Sequence, residues 1–129
     1  MQALAFSKTY DLQTCVRESR RVRKLPADTL LAEFSERVTQ DRSTTVELLI
    51  RMGAIDERRL YKPLACASMY AYCMQVMRMS EGTAFQRIRA ARAGRRFPQI
   101  LPMLADGRLH VTAVALLAPH LKRDNVAEL

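Results

Sequence analysis

The sequence predicts an all-α fold, and three observations predict it. Apolar residues return at spacings of three and four through most of the chain. No clean period-two run is bounded by turns, and no Asn-Gly or Asp-Gly pair is flanked by alternating apolar residues, so hairpin signatures are missing. Serines, prolines and glycines fall at the breaks between helical stretches, where caps and terminators belong. At 129 residues the chain can build one hydrophobic core without disulfides or a structural metal. We read 1–27 as a basic N-terminal extension with one helix, and 28–129 as a compact multi-helix domain containing a helix-turn-helix-like pair.

Each element has its own local warrant. In the extension a helix is expected over 11–24, ending in Arg17-Glu18-Ser19-Arg20-Arg21-Val22-Arg23-Lys24 just before Pro26. Its bases Arg17, Arg20, Arg21, Arg23 and Lys24 form either a phosphate-binding arm or a solvated helix end whose charge suits the dipole. Asp28 is the expected N-cap of the longest helix, 29–52, on which Leu30, Leu31, Phe34, Val38, Thr45, Leu48, Leu49 and Met52 recur. Glu33 with Arg37 and Glu47 with Arg51 support its outer surface at i,i+4. Gly53 terminates or bends it, and 55–61 forms a further short helix or turn, with Asp56-Glu57 and Arg58-Arg59 as charged surface.

After the break at 62–67, Ser68 caps a helix carrying Met69, Tyr70, Tyr72, Cys73, Val76 and Met77. Arg78-Met79-Ser80 makes a turn, and Ser80 caps a second helix running to 96. Pro98 sits early in the next helix, which ends at 104 or 105; Asp106-Gly107 is a turn; His110 or Thr112 starts a helix ending at 117 or 118. Pro119 breaks that helix, and 122–129 reads as a last one with no terminator, as in the front portion of a longer gene product. The expected core draws on Leu48, Leu49, Met52, Leu60, Tyr72, Val76, Ile88, Phe97, Leu101, Leu104, Leu109, Val114 and Leu117, with Ala84, Phe85 and Ala91 as helix contacts beside Ile88.

Charge narrows the function classes. Lys+Arg number 21 against 13 Asp+Glu, a net charge of +8, and 17 of the bases are arginine. A guanidinium fork grips phosphate or a guanine edge through two hydrogen bonds, so the balance favours DNA first and an acidic protein surface second. No apolar run is long enough to span a bilayer, and 1–6 is too short for a secretory core. Three cysteines, Cys15, Cys66 and Cys73, give an odd count without metal-ligand spacing, which makes the cytoplasm the expected compartment and buried thiols the expected state of Cys66 and Cys73.

The strongest constellation lies between Ser68 and Leu117. If the helix opened by Ser80 enters a major groove, Thr83, Gln86 and Arg87 are placed to read bases, glutamine reading adenine and arginine reading guanine. Arg89, Arg92, Arg95 and Arg96 would follow as phosphate contacts, and Arg89, Arg92 and Arg96 share one broad side at 100° per residue. Gly82 leaves room for another backbone at the helix start. The competing reading is an arginine-rich solvent face on a small bundle.

Catalytic signatures are missing from the sequence. His110 and His120 stand ten apart across Pro119, without metal-pair spacing; His110 is expected to cap or orient the turn after Gly107. The sequence contains no P-loop, HExxH site or dinucleotide fingerprint, and Asp56-Glu57, Glu81 and Asp106 each have a structural explanation. Residues 1–129 are therefore expected to cleave nothing and to hold no cofactor.

Several segments resemble the helical N-terminal region found ahead of bacterial HNH-endonuclease modules. They are Leu60-Tyr61, Ser68-Met69-Tyr70-Ala71-Tyr72-Cys73, Met79-Ser80-Glu81-Gly82-Thr83-Ala84-Phe85-Gln86-Arg87-Ile88, Ala90-Ala91-Arg92 and Arg95-Arg96-Phe97-Pro98. The likeness continues through Met103-Leu104-Ala105-Asp106-Gly107-Arg108-Leu109-His110-Val111-Thr112-Ala113-Val114 and Leu116-Leu117-Ala118-Pro119-His120-Leu121. It covers roughly 30–129, with two departures: Ala65-Cys66 stands where the family usually has Gly-Tyr, and the sequence does not contain the family's downstream nuclease module. From Ser80 to Leu117 the order is also, more loosely, similar to the helix-turn-helix region of ParB-type partition proteins. The resemblance implies a non-catalytic DNA-binding or target-positioning domain, with a divalent metal only in a downstream HNH module. A protein-interaction or homodimerisation domain regulating a larger nuclease is the alternative.

Overall fold

The structure, a computed structural model, describes residues 10–126. It is all-α: α1 (Leu12–Arg23), α2 (Ala27–Arg58), α3 (Met69–Ala71), α4 (Glu81–Arg96), α5 (Ile100–Ala105) and α6 (Val111–Leu117). Short 3-10 turns at Lys62–Leu64 and Ala118–His120 and a π-helical turn at Tyr72–Val76 complete the order. Among the described residues there is no strand, and no helix is long and apolar enough to cross a membrane. The chain divides into two units, Met1–Arg37 and Val38–Leu129, with the division falling inside α2.

In the first unit the Asp11 carboxylate caps α1 by accepting from the Thr14 N–H at 2.8 Å, as the sequence leads one to expect at 11–24. That charge-assisted bond holds the Asp11 carboxyl below its ordinary value. No residue of α1 is buried. Arg21 reaches Glu18 at 2.7 Å on its own helix and Glu33 at 2.9 Å on α2, so an ion-pair triad links the two helices. Leu31 and Phe34, which recur at helical spacing in the sequence, are 68% exposed. Helical period alone cannot say whether a stripe finds a partner within its own unit.

Both ends of α2 differ from the sequence reading. The helix starts at Ala27, with the Pro26 carbonyl accepting from the Leu30 N–H at 3.0 Å, so Asp28 lies in the first turn and is not the cap. Gly53 does not stop it: the helix runs on to Arg58 and absorbs most of 55–61. The glycine is buried inside the helix, and a Cβ there would make only ordinary contact, 3.5 Å from the Ala91 carbonyl oxygen. Termination falls instead to Arg59, at φ 53°. There the Leu60 N–H donates to Ile55 O at 3.1 Å and the Arg59 N–H to Asp56 O at 3.2 Å, a Schellman closure with arginine in the left-handed position usually held by glycine.

The core of the second unit gathers around α4, which α6, α3, the π turn and the Ala118–His120 turn all contact. Ser68 and Ser80 are caps as expected, their hydroxyls accepting from the N–H groups of Ala71 at 3.0 Å and Thr83 at 3.2 Å. After three α-helical residues the Ser68 helix widens: the Met77 N–H reaches back five residues to Tyr72 O at 3.1 Å, and Arg78, at φ 58°, turns the chain. On α4, Ala84, Ile88 and Ala91 are buried at 0, 1 and 3%, but Phe85, expected beside them, is 47% exposed, being one residue (100°) off that stripe.

Leu49, Met52, Phe97, Leu104 and Val114 join the core as anticipated, with Leu48, Tyr72, Leu101 and Leu109 packed at its edge. Leu60, Val76 and Leu117 are exposed instead, the first two lying where the Arg59 closure and the π turn shift the helical phase. Cys73 is buried as expected, and Ile100, Met69 and Val126 take buried places that the sequence reading left out. Asp106-Gly107 is a turn: the Asp106 carboxylate accepts from the Arg108 N–H at 3.0 Å, and Gly107 has φ 84°. Helix α5 starts at Ile100, placing Pro98 in the turn before it. His110 occupies the N-cap position of α6 without donating or accepting a side-chain cap bond. From Lys122 the chain forms turns, pinned by Asn125 to the Lys122 N–H and the His120 carbonyl, and not the expected helix; 127–129 lie outside the described residues.

Candidate nucleic-acid interface

Helix α4 is buried on two sides because its sequence alternates small and charged residues. Ala84, Ile88 and Ala91 fill one line of contact, and Ala90, Ala93 and Gly94 let neighbouring elements approach on either side of it. Phe85, Arg89, Arg92 and Arg96, spaced i, i+4, i+7 and i+11, are left as an outward stripe. Each arginine lies over a ring: Arg89 over Phe85 at 5.1 Å, Arg92 over Tyr70 at 5.7 Å and Arg96 over Phe97 at 5.0 Å. Arg89, Arg92 and Arg96 border one open concavity of about 250 Å³ with Tyr70, Ala93 and Ala118. The sequence places these three arginines on one side, and the fold closes that side into a concavity.

The remaining site residues divide among other neighbours. Arg95 points across to α2, donating to the Gly53 carbonyl at 3.0 Å and lying 3.5 Å from Asp56. Thr83 is engaged by its own cap, its hydroxyl accepting from Ser80 at 2.9 Å. Gln86 accepts from the Thr112 hydroxyl of α6 at 3.3 Å, and Arg87 is half-buried. A Cβ on Gly82 would meet nothing within 4 Å, so no packing inside the chain requires a glycine there. On α1, Arg17, Arg20, Arg23 and Lys24 are exposed and Arg21 is held by its two glutamates.

Two arginines of the stripe also brace the fold, which the sequence reading missed. Arg92 makes a two-bond fork with Asp56, at 2.8 and 3.1 Å, and Arg89 donates to the Ala115 carbonyl at 3.1 Å. Hydrogen bonding to Arg92 holds the Asp56 carboxyl below its ordinary value and raises the Arg92 guanidinium. Asp56 thus serves α4 and not the adjacent Arg58-Arg59. Even so, 45% of the Arg92 side chain is exposed, and a guanidinium has five donors, of which Asp56 occupies two.

Among the described residues no group of three or more His, Cys, Asp or Glu side chains is placed to hold a metal ion. Cys66 and Cys73 are free buried thiols, and burial raises the Cys73 thiol above its ordinary value. The arrangement can bind an anion and stack a flat group. No family model, curated protein or solved structure matches the chain.

Proposed function

We propose that the chain is a non-catalytic DNA-binding or target-positioning domain of an HNH-endonuclease-like protein, in which the Tyr70-bearing helix and α4 act as a helix-turn-helix-like pair. The observation that carries this reading is the convergence of Arg89, Arg92 and Arg96 on one concavity, in a chain of net charge +8. The sequence resemblance supports the link to HNH modules, and its departure at Ala65 has a physical counterpart. Ala65, where that family has glycine, holds φ 62°, a conformation glycine adopts without strain.

A salt series with a labelled duplex tests the proposal. Replacing Arg96 with Gln removes a guanidinium that lies over the Phe97 ring, while Arg89→Lys and Arg92→Lys keep the charge and lose the fork. Arg96→Gln should weaken binding to all sequences and lower the salt slope by about one unit. Gln86→Ala or Arg87→Ala should change sequence preference if the start of α4 reads bases. Folded wild type that binds no DNA at low salt overturns the proposal.

One observation favours a second reading, a protein-interaction or homodimerisation domain. In the Met1–Arg37 unit, Leu12, Leu31 and Phe34 are 81, 68 and 68% exposed. That reading expects a concentration-dependent sedimentation coefficient that Leu31→Ser with Phe34→Ser abolishes.

A further inference from the structure

Phe85 poses a question that duplex binding alone does not answer. Its neighbours Ala84 and Ile88 are fully buried, yet the ring itself is 47% exposed, beside Met74 at 36%. It pairs with Tyr70 at a centroid distance of 6.5 Å and a tilt of 34°. The two rings line a concavity of about 510 Å³ together with Met74, Glu81 and Gly82, a size within the range of small-ligand sites. Tyr70 also borders the arginine concavity, so an apolar, ring-walled space and a triple-arginine space meet at one side chain.

We infer that the Tyr70–Phe85 pair is a stacking shelf for an unpaired DNA base, with the adjoining phosphate held by Arg89, Arg92 and Arg96. This deepens the DNA-binding reading and rests on it. A base within a duplex already has both faces stacked, so an exposed ring such as Phe85 serves a bulged, flipped or single-stranded nucleotide. Charge fixes the orientation: Glu81, on the ring side, repels phosphate, and the arginines attract it. An apolar anchor from a protein partner would fill the ring-walled space but bring no anion to the arginine side, where, among the described residues, Arg92 alone has a carboxylate partner. A nucleotide fills both.

Three oligonucleotides of one length test the shelf by fluorescence anisotropy: a single strand, a matched duplex, and a duplex with one bulged 2-aminopurine. Phe85→Ala should weaken single-strand and bulge binding about tenfold and duplex binding less than twofold, as expected for the loss of one stacked base. Wild type should quench 2-aminopurine, Phe85→Ala should not, and Phe85→Tyr should restore quenching. Because Phe85 is exposed, an unchanged urea midpoint should certify the alanine variant as folded. If wild type binds the duplex while Phe85→Ala leaves all three affinities and the quenching unaltered, the shelf is overturned and the DNA reading stands. Wild type that binds none of the three overturns both. If the bulged base is quenched but Arg96→Gln alters neither affinity nor salt slope, the arginine concavity is not the phosphate site, and the proposal falls in that half.

Discussion

Helices α1 and α4 carry arginine at nearly the same density, four in twelve residues and five in sixteen, yet use it differently. On α1 no residue is buried, and Arg21 is held by two glutamates in water. On α4 six residues are buried, and Arg89, Arg92 and Arg95 each bond a carbonyl or carboxylate of another element. The difference lies in the neighbours: Ala84, Ala90, Ala91, Ala93 and Gly94 bring other backbones within guanidinium reach, and α1 has no such small residues. An arginine on a small-residue helix both braces the fold and faces outward; one on a fully solvated helix supplies mainly charge.

The widest gap between the two helices should appear in their apolar positions. Ile88→Asp buries an unsatisfied carboxylate at a site 1% exposed and should cost roughly 4 kcal/mol, whereas Val16→Asp on α1 should shift stability by less than about 0.5 kcal/mol. Urea midpoints measure both, and equal losses would erase the distinction. Asp56→Asn comes next, with an expected cost of about 1–2 kcal/mol at neutral pH, since the Asp56 side chain is only 10% exposed but water screens the 45%-exposed Arg92. Its carboxyl is depressed in the folded state, so the stabilisation is complete above the ordinary value of 3.8 and disappears as pH falls through the lower folded value. Wild type and Asp56→Asn should therefore converge in stability on acidification; a gap that persists at low pH would mean the brace is not ionic. Arg21→Ala should do least, leaving the thermal midpoint within error although it breaks two short ion pairs.

Features written in local hydrogen bonds were legible in the sequence. Ser68 and Ser80 cap their helices, and Asp106-Gly107 turns the chain, because each acts within three residues of itself. Gly53 misled because glycine's local habit is to end helices, whereas here it lies buried inside one. The Arg89–Arg92–Arg96 side was readable from the helical period, while the Asp56 brace and the Tyr70–Phe85 pair were not, since both depend on which elements meet.

The π turn at Tyr72–Val76 separates Tyr70 from Phe85 in sequence and so sets their alignment in space. A π turn holds one residue more in each hydrogen-bonded loop than an α turn, which makes it equivalent to a single-residue insertion accommodated without breaking the helix. Deleting Gln75 would restore the tighter ladder and rotate the downstream chain by one residue's worth of phase, carrying Ser80 and its capped helix with it. The meeting of the two rings is thus encoded in reading-frame units: substitutions across the turn can be absorbed, but a one-codon deletion within it parts the rings while leaving both of their codons intact.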